Sequence, residues 1–274
     1  RELIDEGRNS LENLTYLCDY FDWLGFHKPQ VAFLEIVDCH NAMEILADGI
    51  EKEHGREVRD FIFSEPAPPM GADEEERCAY TRSIMERMSE RLSLQDTRRA
   101  WFRVQHGLSE DFWRPGDEAD REKYPQCGGI DAFLALKRRE RDAYLKRLHD
   151  DDKLWHTIGI SDEVLDYVTG DLAMEVGRRE GDRIYINKVP YNPNAYAKAA
   201  DPKMKRYYAC HCPLVREAIL HDRSVSPDIC YCSLGHASHY LAGLGRELKG
   251  EVLESVVKGD MRCRFVFYLP DDVG

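Results

Sequence analysis

Glu251 to Leu269, E-V-L-E-S-V-V-K-G-D-M-R-C-R-F-V-F-Y-L, holds two runs of strand-forming residues, Val252 to Lys258 and Arg262 to Leu269, around Gly259 and Asp260. A Gly-Asp pair between such runs predicts a β-hairpin, because glycine supplies the positive φ that a tight reversal needs. On the second run a period of two puts Cys263, Phe265, Phe267 and Leu269 on one face, the expected core face. The chain therefore ends in antiparallel sheet. Arg183 to Val189, R-I-Y-I-N-K-V, predicts a further strand, and Val189 to Tyr196, rich in Pro, Asn and Tyr, an ordered loop.

Upstream, the texture is helical. Leu11, Leu14, Leu17, Cys18, Phe21 and Leu24 recur at helical spacing between Ser10 and Phe26, with Gly25 and Pro29 as stop signals. A second helical run spans Val31 to Glu53, a third Glu74 to Leu92 and a fourth Ile130 to His149, which Asp150 to Asp152 ends. Ser64 to Gly71, Trp113 to Asp120 and Tyr124 to Gly129 read as loops from their Pro and Gly content. Ser161 is an expected N-cap for a helix whose stripe is Val164, Leu165, Val168, Leu172 and Val176. Pro213 is the expected first residue of a short helix, and Ser233 to Leu244 a helix of small residues. The fold class is α+β: a helical region over residues 1–157, then an α+β domain over 158–274 whose sheet and short helices enclose a ligand pocket.

The 274 residues are 43% hydrophobic and carry a formal charge of −13, which allows a large core and repels polyanions. Nucleic acid is not the expected partner. No run of about 18 apolar residues is present, so a membrane span is not expected, and the charged start lacks the apolar core of a signal segment. A cytoplasmic protein is the expectation.

Nine cysteines include two close pairs, C-H-C-P at Cys210 to Pro213 and C-Y-C at Cys230 to Cys232. In a reducing compartment, clustered thiols point to metal or redox chemistry more than to disulfides. One-residue gaps let two sulfurs reach one ion or one cluster, while a disulfide across so short a gap is strained. Zinc and an iron–sulfur cluster both suit the spacing. The plain alternative is a set of buried, inert thiols. With helices expected at Pro213 and Ser233, Cys212 and Cys232 fall in the positive field of helix N-termini, which favours thiolate.

The stretch C-Y-C-S-L-G-H-A-S-H-Y-L-A-G from Cys230, followed by the hairpin, resembles the vinyl-reductase-type small-molecule-binding domain of phenol-responsive activators. It is similar as well to the L-2-amino-thiazoline-4-carboxylic acid hydrolase family. A family of uncharacterised anaerobe proteins carries the K-R-Y-Y-A-C-H-C-P block found at Lys205 to Pro213. The resemblance covers about Arg206 to Pro270. It implies a zinc ion beside a ligand pocket, with Cys230 and Cys263 matching two of its ligands. Ser255 stands where the pattern has a further cysteine, and Glu251 and Glu254 flank the place of its glutamate.

The candidate metal ligands are thus Cys210, Cys212, Cys230, Cys232 and Cys263. His211 and His236 are candidate proton carriers, and Lys188, Tyr191, Tyr208 and His239 candidate ligand-binding residues. The expected activity is small-molecule binding with hydrolysis of a C–N bond at zinc. The alternatives are a sensor or carrier with structural zinc or an iron–sulfur cluster, and a metal-free hydrolase with a cysteine nucleophile. A small molecule is the expected partner, and a homodimer is left open. G-x-S-x-G, H-E-x-x-H and phosphate-loop motifs are absent from the sequence.

Overall fold

The computed structural model describes residues 10–273. Helix α1 (Leu11–Leu24) starts where expected: the Ser10 hydroxyl accepts from the Asn13 N–H at 3.2 Å, and Gly25 ends it at φ 70°. The second helical run is divided into α2 (His27–Val37) and α3 (Ala42–His54). The break is D-C-H-N, Asp38 to Asn41, four turn-forming residues with Cys39 at φ 56° and its side chain buried.

Four helices follow: α4 (Arg56–Ile62), α5 (Glu74–Arg91), α6 (Leu94–Phe102) and α7 (Glu110–Lys123). A 3₁₀ turn, Gln105–Gly107, separates α6 from α7. Helix α7 corrects the loop expected at Trp113 to Asp120, since Pro115 and Gly116 lie inside it. The carbonyl that Pro115 leaves without a donor is that of Asp111, an exposed residue at the solvent side of the first turn. Packing then decides: Asp120 is buried and accepts from Lys137 Nζ at 2.6 Å, on α8 (Ile130–Asp150).

Beyond α8, a two-residue antiparallel pair, β1 (Leu154–Trp155) and β2 (Ile158–Gly159), precedes α9 (Asp162–Gly170), capped by Ser161. Leu172 of the expected stripe lies beyond this helix and is exposed. Strands β3 (Arg178–Glu180) and β4 (Arg183–Asn187) are followed by α10 (Pro193–Lys198), α11 (Pro202–Ala209) and α12 (Arg216–Leu220). A 3₁₀ turn, Pro227–Cys230, runs into α13 (Tyr231–Ser238), then a 3₁₀ segment, His239–Leu244, and the hairpin β5 (Lys249–Glu254) and β6 (Arg264–Tyr268).

The four-stranded sheet is antiparallel in the order β3-β4-β6-β5, with Ile184 opposite Phe267 and Ile186 opposite Phe265. Phe265, Val266 and Phe267 are all buried, so β6 is covered on both faces. Two glycines hold the neighbouring layers close. A Cβ on Gly235 of α13 would overlap the Phe102 carbonyl at the end of α6, and one on Gly243 would sit 2.6 Å from Phe133 Cζ of α8. One core cluster takes Leu46, Ile84 and Trp101 from the helical region together with Cys210, Val215 and Cys232 from the C-terminal part. Helix and sheet regions are thus sealed by shared core. Among the described residues, no helix is long and apolar enough to cross a membrane.

Candidate functional site: a cavity lined by thiols

Three strand ends supply one wall. Lys188 follows β4, Cys263 precedes β6, and the Lys188 N–H donates to the Cys263 carbonyl at 3.0 Å, which extends the ladder by one bond. Ser255 follows β5, and its Oγ lies 3.0 Å from Cys230 Sγ. Cys230 and Cys232 flank the start of α13, and Cys210 to Cys212 are the extended residues after α11. All five expected cysteines, with His106, Lys188, His211 and Ser233, line one small cavity of about 20 Å³ closed by Ile229, Val256 and Val257.

The helix starts differ from expectation, and this changes the thiol chemistry. Pro213 precedes α12 by a turn, with Arg216 the first helical residue, and Cys232 lies within α13. Burial raises the thiols. It pushes the Cys210 thiol up to about 12 and Cys232 up to about 11, and Cys212 and Cys230 rise well above the ordinary thiol range for the same reason. Cys263 is raised too. Without a cation these groups are neutral thiols. Among the described residues, no three His, Cys, Asp or Glu side chains stand close enough to grip one ion as they are oriented.

His106 is the polar hinge of the cavity. Lys188 Nζ donates to its Nε2 at 3.0 Å, and Ser233 Oγ is 3.2 Å from the same nitrogen. An ammonium has only donors, so Nε2 is an acceptor and the ring carries its proton on Nδ1. Burial first, and the Lys188 charge second, hold this histidine well below its ordinary range.

The expected histidines fall at three distances from the thiols. His211 lines the cavity; its Nε2–H donates to the Val189 carbonyl at 2.6 Å, which leaves Nδ1 as the ring's acceptor. His236 stands one ring behind, edge-on to His106 with centroids 4.9 Å apart. His239 lies farther out, stacked on Trp113 at 4.1 Å, with Nδ1 2.9 Å from Asp117 Oδ2 and Nε2 3.0 Å from Gln105 Oε1. Lys188 is in the cavity wall. Tyr191 meets the His211 ring edge-on, but its hydroxyl donates to Glu35 at 2.9 Å and its face carries the Arg216 guanidinium. Tyr208 is outside the cavity, packed against Tyr207, with its carbonyl accepting from the Asn192 N–H.

Sequence reasoning missed His106 and Ser233. His106 sits in Q-H-G, where Gln105, His106 and Gly107 all take positive φ. The glycine alone marks that turn in the sequence.

A larger cavity, about 450 Å³, opens between the end of α5, the start of α6 and Ser224 to Asp228. Met85, Leu92, Leu94 and Val225 give it apolar wall, and Ser89, Ser226 and Asp228 give it polar groups. Its size is that of a small-molecule site. The 3₁₀ turn Pro227–Cys230 bridges the two cavities, with Asp228 on the larger one and Ile229 and Cys230 on the thiol-lined one.

No family model, curated protein or solved structure matches the chain.

Proposed function

We propose that this is a small-molecule-binding protein whose thiol-lined cavity holds one soft metal ion, zinc in first place. The observation that carries the reading is the convergence of five cysteines on a single buried cavity. A donor set of that softness selects zinc or iron–sulfur over hard cations. A cavity of about 20 Å³ has room for a single ion. The likeness of the Cys230 segment and hairpin to a zinc-bearing ligand-binding domain supports the same reading.

The ligand fits best in the cavity of about 450 Å³, and the turn Pro227–Cys230 links it to the thiols. An ion there would fix that turn, the segment after α11 and the hairpin against one another, making one wall of the ligand pocket rigid.

A hydrolase is the second reading, favoured by one feature: His106 Nε2, Lys188 and Ser233 form a proton-handling trio on the cavity wall. Zinc with an open position would supply Lewis acidity there. His211, through Nδ1, and His106, through Nε2, are the bases in reach of the cavity. The metal-free cysteine nucleophile is the weaker enzymatic variant, since burial raises the thiols of the group and disfavours thiolate.

Elemental analysis of anaerobically purified, chelator-free protein tests the proposal. About one zinc per chain and a colourless solution are expected. A brown iron–sulfur spectrum would change the metal, and protein free of metal would overturn the reading. Cys230→Ser is expected to lose the ion.

A further inference from the structure

Helix α1 turns one face inward. Leu14 and Cys18 are buried, and Phe21 stacks on Phe33 of α2 with ring centroids 5.6 Å apart. At 3.6 residues per turn, Glu12, Tyr16, Asp19, Tyr20 and Trp23 fall together on the opposite side, in a stripe about 100° wide. Its three rings stand out in water: Tyr16 is 63% exposed, Tyr20 52% and Trp23 77%, the highest value among the large hydrophobic side chains described. The rings of Tyr20 and Trp23 stack on each other at 6.2 Å, and the Tyr16 hydroxyl donates to Glu12 at 3.3 Å. Tryptophan and tyrosine are the side chains that most often anchor an interface, and here they form one continuous track.

The charge on the track has one sign. Helix α1 contains Glu12, Asp19 and Asp22 and no Lys, Arg or His. Lys153 Nζ takes Asp22 at 3.0 Å, while Glu12 and Asp19 are exposed among the rings. An aromatic face attracts cations, and a carboxylate beside it adds to the same field. A guanidinium, flat and weakly hydrated, can stack on a ring and bond a carboxylate at once. The chain as a whole, at −13, steers cations toward this surface. A second copy of α1 would bring the same acids and no base, so like charges oppose self-pairing through this face. The three rings offer on the order of 400 Å² of side chain. That is roughly half of what each partner gives to a stable interface between domains, and it suits a short segment.

We propose that the outer face of α1 docks a short segment of a partner protein that carries arginines about one helical turn apart. Its guanidinium groups stack on Trp23, Tyr20 and Tyr16 and pair with Asp19 and Glu12. The inference is independent of the metal reading, since no residue of the thiol-lined cavity takes part. It gives the helical region an outward role, away from both cavities.

The test uses the full chain and a fluorescently labelled, alanine-based helical peptide with arginine at every fourth position, followed by anisotropy. Saturable binding is expected, and Trp23→Ala is expected to weaken it about fivefold, the size of one exposed cation–π contact. Asp19→Asn, which leaves the rings in place, should weaken it about threefold, within the range of an exposed ion pair. The same peptide with lysine for arginine should bind less well, because an ammonium does not stack as a guanidinium does. Phe112→Ala, which removes an exposed ring of α7, is the control and should change nothing. Equal binding by Trp23→Ala and wild type would show capture by net charge alone and overturns the proposal, as does an absence of binding up to about 1 mM peptide. A wild-type dimer in sedimentation that Trp23→Ala dissociates assigns the stripe to a second copy and overturns the partner. Binding to zwitterionic lipid vesicles that depends on Trp23 overturns it in favour of a lipid surface.

Discussion

The backbone N–H of His106 donates to Cys232 Sγ at 3.0 Å, although 126 positions separate the two in the chain. That bond joins the helical region to α13, and the His106 ring adds a second tie through Lys188 Nζ at 3.0 Å. Removing the ring tests the pair of ties. His106→Ala leaves the Lys188 ammonium facing a buried wall with only the longer 3.4 Å contact to Ser233 Oγ, a loss expected to cost about 2 kcal/mol in urea unfolding. His106→Asn, which retains an acceptor, should recover part of it. Equal stability in the Ala variant and the wild type would show that the trio carries no structural weight.

Gly235 sets the approach of α13 to α6. A methyl group there overlaps the Phe102 carbonyl, and backbone cannot swing aside as a side chain does. Alanine is a better helix former than glycine by about 1 kcal/mol, so a loss of stability in Gly235→Ala has to come from the clash. The expected loss is about 2 kcal/mol, within the usual range for overpacking. A gain in stability would mean that the helices separate freely.

These contacts mark what the sequence makes legible. The hairpin, the Ser10 and Ser161 caps and the α+β class follow from local chemistry, which is why Phe265, Phe267 and Leu269 are core residues as expected, although β5 is Lys249–Glu254 rather than Val252 to Lys258 and its connection to β6 is longer than the Gly259-Asp260 turn. Helix α7 was hidden because Pro115 speaks against it locally and only the packing of Asp120 and Trp113 on other segments speaks for it. Cys210, Cys212, Cys230 and Cys232 announce themselves by spacing, and they do share a cavity, together with Cys263, which only the resemblance brought in. His106 has no such signal, since a lone residue in a turn shows its role only once distant segments meet. The helix starts assumed for the thiolate argument moved, to Arg216 and Tyr231, and burial, a tertiary property that the sequence does not show, raises these thiols.

His236 makes the fold acid-sensitive. It is packed among the His106, Trp113 and Tyr240 rings, and burial first, then the charges of Lys188 and His239, hold its pKa well below the ordinary value of 6.5. The folded state therefore binds fewer protons at this site than the unfolded chain does. Its contribution is fully present above the unfolded pKa and declines as pH falls through and below that value, with a slope of at most about 1.4 kcal/mol per pH unit. Urea unfolding of wild type and His236→Gln between about pH 7.5 and 5.5, a window spanning the unfolded histidine value, checks this. The variant is expected to show a shallower loss on acidification, and parallel curves would count against a buried, neutral His236.

Ser255 is the last point of leverage. It is 1% exposed, and its hydroxyl lies 3.0 Å from Cys230 Sγ. The same hydroxyl accepts from the Val257 N–H at 3.2 Å, while the Ser255 N–H donates to Asp260 at 2.8 Å, so the residue organises the hairpin turn. Ser255→Cys keeps the backbone bond and weakens the acceptor, at a cost of about 1 kcal/mol to the metal-free fold. In exchange it sets another soft donor beside Cys230. Under reducing conditions the variant is expected to bind zinc more tightly than wild type, by about tenfold in chelator competition, the size of effect that changes around a metal shell produce. Weaker binding would place the ion away from the Cys230 and Ser255 side of the cavity.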